Sequence, residues 1–546
     1  MHGQRSVLAP RGMVTSPHAL ASAAGVRILQ NGGNAVEAAI AAAATIAVVY
    51  PHMNSIGGDN FWLMYDAARG TTRALLACGQ AGAGCTIDAY RSAGHDSQIP
   101  RRGALAANTV PGAVDGWFTA HDYSREALGG SHAMASVLAD AIGYAQRGFP
   151  VTPSQADWTR RNVGFDTSPF GGLEQLDGFR RTFLRPDGSM YERGACFALP
   201  DLAATLQLLA KDGRAAFYRG ALAQSMCTYL RERGGLLAEA DFAAYKSTWE
   251  EPLSVRYRDW TVYNTPPPTQ GLTSLQILNI LQYYDVAELM RNPADYYHTM
   301  VEATKAAFVD RDAWIADPRF HPLPLTELLS PAHAAEAAAR IDPQHARMPD
   351  AAHAGGGDTV WLGAVDADGN AVSLIQSIFF DFGSGVIPEG TGVLLQNRGS
   401  SFSLDAKHVN ALAPGKRPFH TLNPAMALRD GRPELVYGTM GGEGQPQTQA
   451  AIATRILDLG MDVQAAIDAP RWLYGRTWGE PTSTLSIESR AGQAAIGELR
   501  RRGHELNVID AWDEKVGHAQ AIRIDRTSGT LYGGADPRGD GLAIGY

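Results

Sequence analysis

Apolar positions in the first fifty residues recur at helical spacing. Ser16-Pro17 predicts an N-cap followed by proline at the first helical position, opening a helix to about Gln30 that Gly32-Gly33 ends. Asn34, with Glu37 three residues on, predicts a capping box for a second helix, rich in alanine, that continues into the apolar run Ala38 to Tyr50. The period then changes. After the polar loop His52 to Asn60, Phe61 to Tyr65 predicts a buried strand, and Gly57-Gly58 ahead of it predicts either close backbone approach or a plain turn. From Pro111 to Arg340 the pattern is mostly helical, with strand residues near Ser254 to Tyr263 and a rigid turn at Pro266-Pro267-Pro268. Leu272 to Tyr284 predicts an amphipathic helix with Leu275, Leu278, Ile280 and Leu281 on its apolar side. Large apolar residues disappear between Ser330 and Asp358, and the part after Arg340 predicts an exposed linker. Beyond it, strands dominate. Trp361 to Val365, the turn Asp366-Ala367-Asp368-Gly369-Asn370 and Ala371 to Phe380 predict a hairpin.

Composition narrows the classes. A chain of 546 residues with 45% hydrophobic content can bury a large core, as about two to four domains or as one interleaved unit. A formal charge of −9 and the lack of a Lys/Arg run exclude an electrostatic footprint for nucleic acid. The first ten residues carry no apolar core of a secretory signal, and the run Ala38 to Tyr50 is short of the roughly 18 to 20 residues that span a bilayer. A cytoplasmic protein without membrane partners is expected. Cys78, Cys85, Cys196 and Cys227 show neither Cys-x-x-Cys spacing nor a neighbouring His, so reduced thiols are expected and no metal or redox pair.

The stretch with most chemical potential is Gly355-Gly356-Gly357-Asp358-Thr359. Taken alone it reads as an ordinary loop entering a hairpin. Cleavage of the Asp358-Thr359 bond would instead make Thr359 a chain start, whose α-amine can serve as the base its hydroxyl lacks. Two later loops add to this. Lys416 to Pro424 holds His420 and Thr421, and Gly438 to Gln445 offers consecutive backbone N–H groups at Gly441 and Gly442, suited to an oxyanion hole or an anion nest. The glycines at 438, 441, 442 and 444 do not meet the dinucleotide-binding form.

Ordered matches along nearly the whole chain carry a family resemblance. They are Gly12-Met13-Val14, Ser16-Pro17-His18, Gly32-Gly33-Asn34-Ala35, Pro51-His52 with Ile56-Gly57-Gly58, Thr109-Val110-Pro111-Gly112, Pro266-Pro267-Pro268 and Asp317-Pro318. After the junction come Asp368-Gly369-Asn370-Ala371-Val372-Ser373, Phe382-Gly383-Ser384-Gly385, Lys416-Arg417-Pro418, Gly441-Gly442 and Asp536-Pro537-Arg538. The sequence resembles the γ-glutamyltransferase family of N-terminal-nucleophile hydrolases. The resemblance implies an α+β, four-layer αββα sandwich built jointly by two subunits of one self-cleaved precursor, residues 1–358 and 359–546. These stay together as a heterodimer, with higher oligomers left open. It implies Thr359 as nucleophile, Ser377 where the family has a second threonine near the nucleophile's amine, Gly441 and Gly442 as oxyanion donors, a small amide as substrate, and no cofactor.

The departures bear on specificity. Ile87 stands where the resemblance places the arginine for a γ-glutamyl α-carboxylate, Ser401 where it places an acid for the α-amine, His420-Thr421 in place of a paired seryl motif, and Phe379 in place of an asparagine. Burying a zwitterionic head group without partners costs several kcal/mol. The expected acyl donor is therefore a small anionic amide lacking an α-amine, oxamate-like or of the glutaryl-acylase type. Arg398 is its carboxylate partner, and Ser401, His420 and Thr421 lie nearby. Arg398 as a structural ion pair, a true γ-glutamyl enzyme and a non-catalytic binding protein remain as alternatives.

Overall fold

The computed structural model describes residues 5–164, 171–347, 358–477 and 482–546, the side chain of Asp358 excepted. The last part of the predicted linker, with the glycine run at 355–357, lies outside the described residues. Two seven-stranded antiparallel sheets face each other. The first runs, in spatial order, Leu542–Gly545, Met13–Ser16, Asp358–Val365, Ala371–Phe379, Asp59–Asp66, Thr71–Ala77 and Thr248–Glu250. The second runs Val7–Ala9, Leu531–Ala535, Ala519–Ile524, Arg432–Thr439, Ala425–Arg429, Trp260–Asn264 and Leu253–Tyr257.

Strand alternation sorts the side chains into three apolar layers. Phe61, Leu63, Trp361 and Ile375 from the first sheet meet Met426, Leu428, Val436 and Ile522 from the second in the space between the sheets. On the outer side of the first sheet, Trp62, Met64, Val360, Leu362 and Leu374 pack with helices Ala19–Gln30 and Ala35–Val49. On the outer side of the second, Val262, Ala427, Leu435 and Tyr437 pack with helices Gly271–Leu281, Pro293–Trp314 and Gly444–Ala453. Helix, sheet, sheet, helix is the four-layer sandwich that the resemblance implied.

Local signals account for many element starts. Asn34 accepts from the N–H groups of Val36 and Glu37, and the Glu37 carboxylate accepts in return from the Asn34 N–H at 3.1 Å. The hairpin turn feeds the same cap, because Asp366 accepts from the Ala35 N–H at 2.9 Å while its own loop closes through Asn370. Two expectations are corrected. The first helix begins at Ala19, not after Ser16, because Ser16 ends a sheet strand; His18 caps the helix, accepting from the Leu20 N–H at 3.1 Å. Gly271–Leu281 is not amphipathic, since all its residues are buried between the second sheet and neighbouring helices. The predicted linker is exposed at 342–345, yet its backbone is anchored. His298 Nε2 meets the Asp342 carbonyl at 2.8 Å, the Arg502 carbonyl accepts from the Ala346 N–H at 2.7 Å, and Lys305 Nζ donates to the Arg347 carbonyl at 2.8 Å.

The glycine pair at 57–58 sets where two segments meet the first sheet. A Cβ on Gly57 would lie 2.2 Å from the Leu394 carbonyl oxygen, and one on Gly58 2.2 Å from that of Ser377. The Gly57 carbonyl accepts from the Gln396 N–H at 3.0 Å, and the Gly58 carbonyl from the Gly112 N–H at 2.9 Å. Both readings of this pair are realised: the backbones approach closely, and the Gly58 N–H also closes a turn on the Ser55 carbonyl at 3.2 Å. Gly58→Ala is expected to force these strands apart and to lower the urea unfolding free energy by about 1–3 kcal/mol.

Candidate active site

Three strand ends lie side by side on the first sheet. Asp59 pairs directly with Ser377, and the strand that carries Thr359 pairs with the Ser377 strand through a register shift between Asp358 and Val360. Alternation from Trp361, Ile375 and Phe61 puts Thr359, Ser377 and Asp59 on the inner side of the sheet, and all three are buried. With neighbouring strands about 4.8 Å apart, the row from Thr359 to Asp59 spans roughly 10 Å. The Thr359 hydroxyl has no hydrogen-bond partner among the described residues.

Arg398 reaches into this row from the short turn Arg398–Ser401. Its Nη2 donates to Ser377 Oγ and its Nη1 to Thr421 Oγ1, each at 3.3 Å, and its guanidinium lies 4.2 Å from the centre of the Phe379 ring. Phe379 holds φ +82, a left-handed conformation beside the strand irregularity, and Ser377 Oγ accepts its N–H at 2.8 Å. Arg398 is fully buried, and among the described residues no carboxylate lies within ion-pair distance of it. The structural ion pair is therefore not found there. Burial pulls its pKa down to about 9, while the charge of Asp59 works in the opposite direction.

His420 and Asp59 form the other end of the row, with Nε2 and Oδ2 3.6 Å apart. The Phe61 ring stands edge-on to His420 at 4.8 Å. Burial, then the charges of Arg398 and Arg417, hold the imidazole well below its ordinary pKa, so it is neutral at pH 7. Asp59 Oδ1 accepts from the N–H groups of Gly79 at 3.1 Å and Gly112 at 3.0 Å, while Oδ2 has no hydrogen bond. Burial pushes this carboxyl up to about 7, against those N–H groups, Arg398 and the nearby Gln396 amide.

Gln270 joins the two later loops. Its Nε2 donates to the carbonyls of Thr421 and Gly442, both at 2.8 Å, and its N–H donates to the His420 carbonyl at 2.9 Å. Gly441 and Gly442 hold φ +129 and +51, and among the described residues no backbone hydrogen bond uses their N–H groups. They follow the strand Arg432–Thr439 and precede helix Gly444–Ala453, whose N-terminal dipole adds positive potential at the turn.

Ser377, Arg398, Thr421, His420 and the Gly441-Gly442 turn are thus linked, and strand register places Thr359 beside Ser377. Ser401 is not part of this linkage, because its half-buried hydroxyl turns to the Phe419 carbonyl at 3.4 Å. Ile87 packs against an apolar cluster that includes Cys85, Phe402 and Leu404. Sequence reasoning missed Asp59 and Gln270. The available signal for Asp59 was a charged residue directly after the glycine pair, at the start of a strand whose centre, Phe61 to Tyr65, is apolar. Elsewhere, His298, Glu302 and His504 bring potential metal ligands within 4.8 Å of one another. Those side chains are already engaged: His298 Nδ1 meets His504 Nε2 at 2.9 Å, and Glu302 accepts from Lys305 Nζ at 2.7 Å and the Arg347 N–H at 3.1 Å.

A family model described as Gamma-glutamyltranspeptidase matches residues 21–546. The chain belongs to that family. It is 46% identical over 543 residues to the Glutathione hydrolase-like YwrD proenzyme of Bacillus subtilis (strain 168), covering 99% of each. It is also 46% identical over 542 residues to the Oxamate amidohydrolase proenzyme of Klebsiella pneumoniae subsp. pneumoniae, again covering 99% of each. The crystal structure of cephalosporin acylase from Bacillus halodurans superposes with a TM-score of 0.90 at 35% identity, over 100% of this chain and 97% of that one. Among the described residues of this gamma-glutamyltranspeptidase family member, no helix is long and apolar enough to cross a membrane.

A buried cation without a carboxylate at ion-pair distance contributes little to folding. Arg398→Met is expected to leave the unfolding free energy unchanged or to raise it by about 1 kcal/mol or more, read by urea denaturation. Loss of a structural ion pair would instead lower it by about 3–5 kcal/mol.

Proposed function

We propose that the chain is the precursor of a self-processing amide hydrolase or acyltransferase with Thr359 as nucleophile. The observation that carries this reading is the buried Thr359 hydroxyl, without a partner among the described residues, in one row with Ser377 and close to a buried arginine. The family and the proenzyme names of two relatives support it. In the intact chain the Thr359 hydroxyl attacks the carbonyl carbon of Asp358, and hydrolysis of the resulting ester leaves subunits of residues 1–358 and 359–546. The freed α-amine, with an ordinary pKa of about 7.7–8, is partly neutral near pH 7 and takes the proton from the hydroxyl of its own residue. Attack on the substrate amide gives a tetrahedral oxyanion, which the N–H groups of Gly441 and Gly442 receive. The leaving amine takes a proton, and the acyl group passes from Thr359 to water or to another amine. Ser377 positions the site through its hydrogen bond with Arg398.

The acyl donor is a small anionic amide without an α-amine, oxamate-like or of the glutaryl-acylase type. Arg398 pairs with its carboxylate, with Ser401, Thr421 and His420 beside it. The name of the Klebsiella relative supports this choice. The name of the Bacillus relative favours a glutathione hydrolase as second reading. Robust turnover of γ-glutamyl-p-nitroanilide, comparable with an authentic transferase, would decide for that second reading.

The wild-type protein is expected to run as two bands on a denaturing gel, with Thr359 at the start of the smaller. Thr359→Ala is expected to stay as one uncut, inactive chain. A wild-type chain that stays whole at neutral pH would instead favour a non-catalytic binding protein. Gly441→Ala puts a side chain where φ is +129 and displaces one oxyanion donor, so kcat is expected to fall by about 10²–10³.

A further inference from the structure

Asp59 has no role in the steps above, yet it faces the same space. Its Oδ1 is held by two backbone N–H groups, and its Oδ2 is fully enclosed without a hydrogen bond, 3.6 Å from His420 Nε2. Both His420 ring nitrogens and Arg398 Nε also lack partners, so three neighbouring buried groups, Asp59, His420 and Arg398, each carry unmet hydrogen-bonding capacity. Buried polar atoms left in this state in a native protein call for a partner, such as a ligand, an ion or an ordered water. Strand register sets Asp59 beyond Ser377, on the side away from Thr359. A group bound there belongs to the acyl portion of a substrate whose carbonyl lies at Thr359.

We propose that Asp59 is a specificity-determining residue that binds in its acid form, donating its Oδ2 hydrogen to the substrate carboxylate that Arg398 holds. The inference rests on the anionic-amide reading above. Binding such a substrate then takes up one proton with it. The groups facing Asp59 are consistent with this. Arg398, His420 and the Gln396 amide, which also bears on the Asp59 carboxyl, come from the segments after position 359, and His420 is neutral. Cys78 follows the strand Thr71–Ala77, and Tyr218 and Tyr245 close the side built from the earlier part of the chain; burial pushes all three upward, so they are uncharged near pH 7. Arg398 is thus the sole cation acting on Asp59 among these groups, and a substrate carboxylate placed on it cancels that charge. Burial already raises the Asp59 carboxyl to about 7, and an anion beside it favours the acid form further. Above that pH two like charges would face each other. The site then rejects small anions as pH rises, while an ammonium-bearing acyl group would be favoured by the ionised form.

The test is the KM for oxamate of the cleaved enzyme between pH 6 and 9, for wild type and Asp59→Asn. Asparagine keeps an acceptor for the N–H groups of Gly79 and Gly112 and presents a permanent donor in place of the acid. Wild-type KM is expected to rise about tenfold per pH unit above about pH 7.5, as linkage to one proton requires. The Asp59→Asn profile is expected to be flat up to about pH 8, below the range near pH 9 where Arg398 itself titrates, with KM at pH 8 about tenfold below wild type. A wild-type KM independent of pH overturns the proposal, even if the variant fails to fold. So does a variant that keeps the wild-type slope, or one that loses a γ-glutamyl-p-nitroanilide turnover the wild type shows, which makes Asp59 an ammonium partner. A cleaved wild-type enzyme that hydrolyses neither oxamate nor glutaryl amides overturns the substrate reading itself, and this role with it.

Discussion

Two missing Cβ atoms decide the geometry of the site. Gly57 lies against the backbone of Leu394, and Gly58 against that of Ser377, at separations no side chain permits. The first contact fixes the segment that leads through Gln396 to Arg398. The second fixes Asp59 opposite Ser377. Thr359 enters through the neighbouring strand, so threonine, arginine and acid share one frame built from the backbone. Side chains then add charge and hydrogen bonds to positions they did not set.

That frame encloses several charged and polar groups. Arg398, Asp59 and His420 are buried with several polar atoms unmet, whereas the equally buried Arg538 is engaged by Glu488 and Asp536. Unmet polar atoms are costly, and the large apolar layers on both sides of each sheet offset that cost.

What could be read from the sequence follows the range of the interactions. The Asn34 and Glu37 capping box and the Asp366 to Asn370 turn are contained in a few residues, and both were legible. The close approach at Gly57-Gly58 was legible as one of two options, because composition shows that a side chain is missing but not what fills its place. The start of the first helix was misplaced because Ser16 is taken by a sheet strand whose partners lie hundreds of residues away. The helix Gly271–Leu281 looked two-sided only because polar residues such as Gln276 and Asn279 find buried partners in later segments. Asp59 was missed for a related reason: its neighbours Arg398 and His420 come from loops more than three hundred residues on.

The interleaving of the first sheet has one more consequence. Strands from before and after position 359 are paired across it: Met13–Ser16 with Asp358–Val365, and Ala371–Phe379 with Asp59–Asp66. Neither part owns a complete sheet. For an intact chain, recovery from denaturation is a unimolecular search. For a chain cut at that bond it becomes a bimolecular encounter between two fragments with exposed apolar strands, a reaction that aggregation can outrun. The persistence of a cut form would then rest on the height of its unfolding barrier rather than on a folding equilibrium.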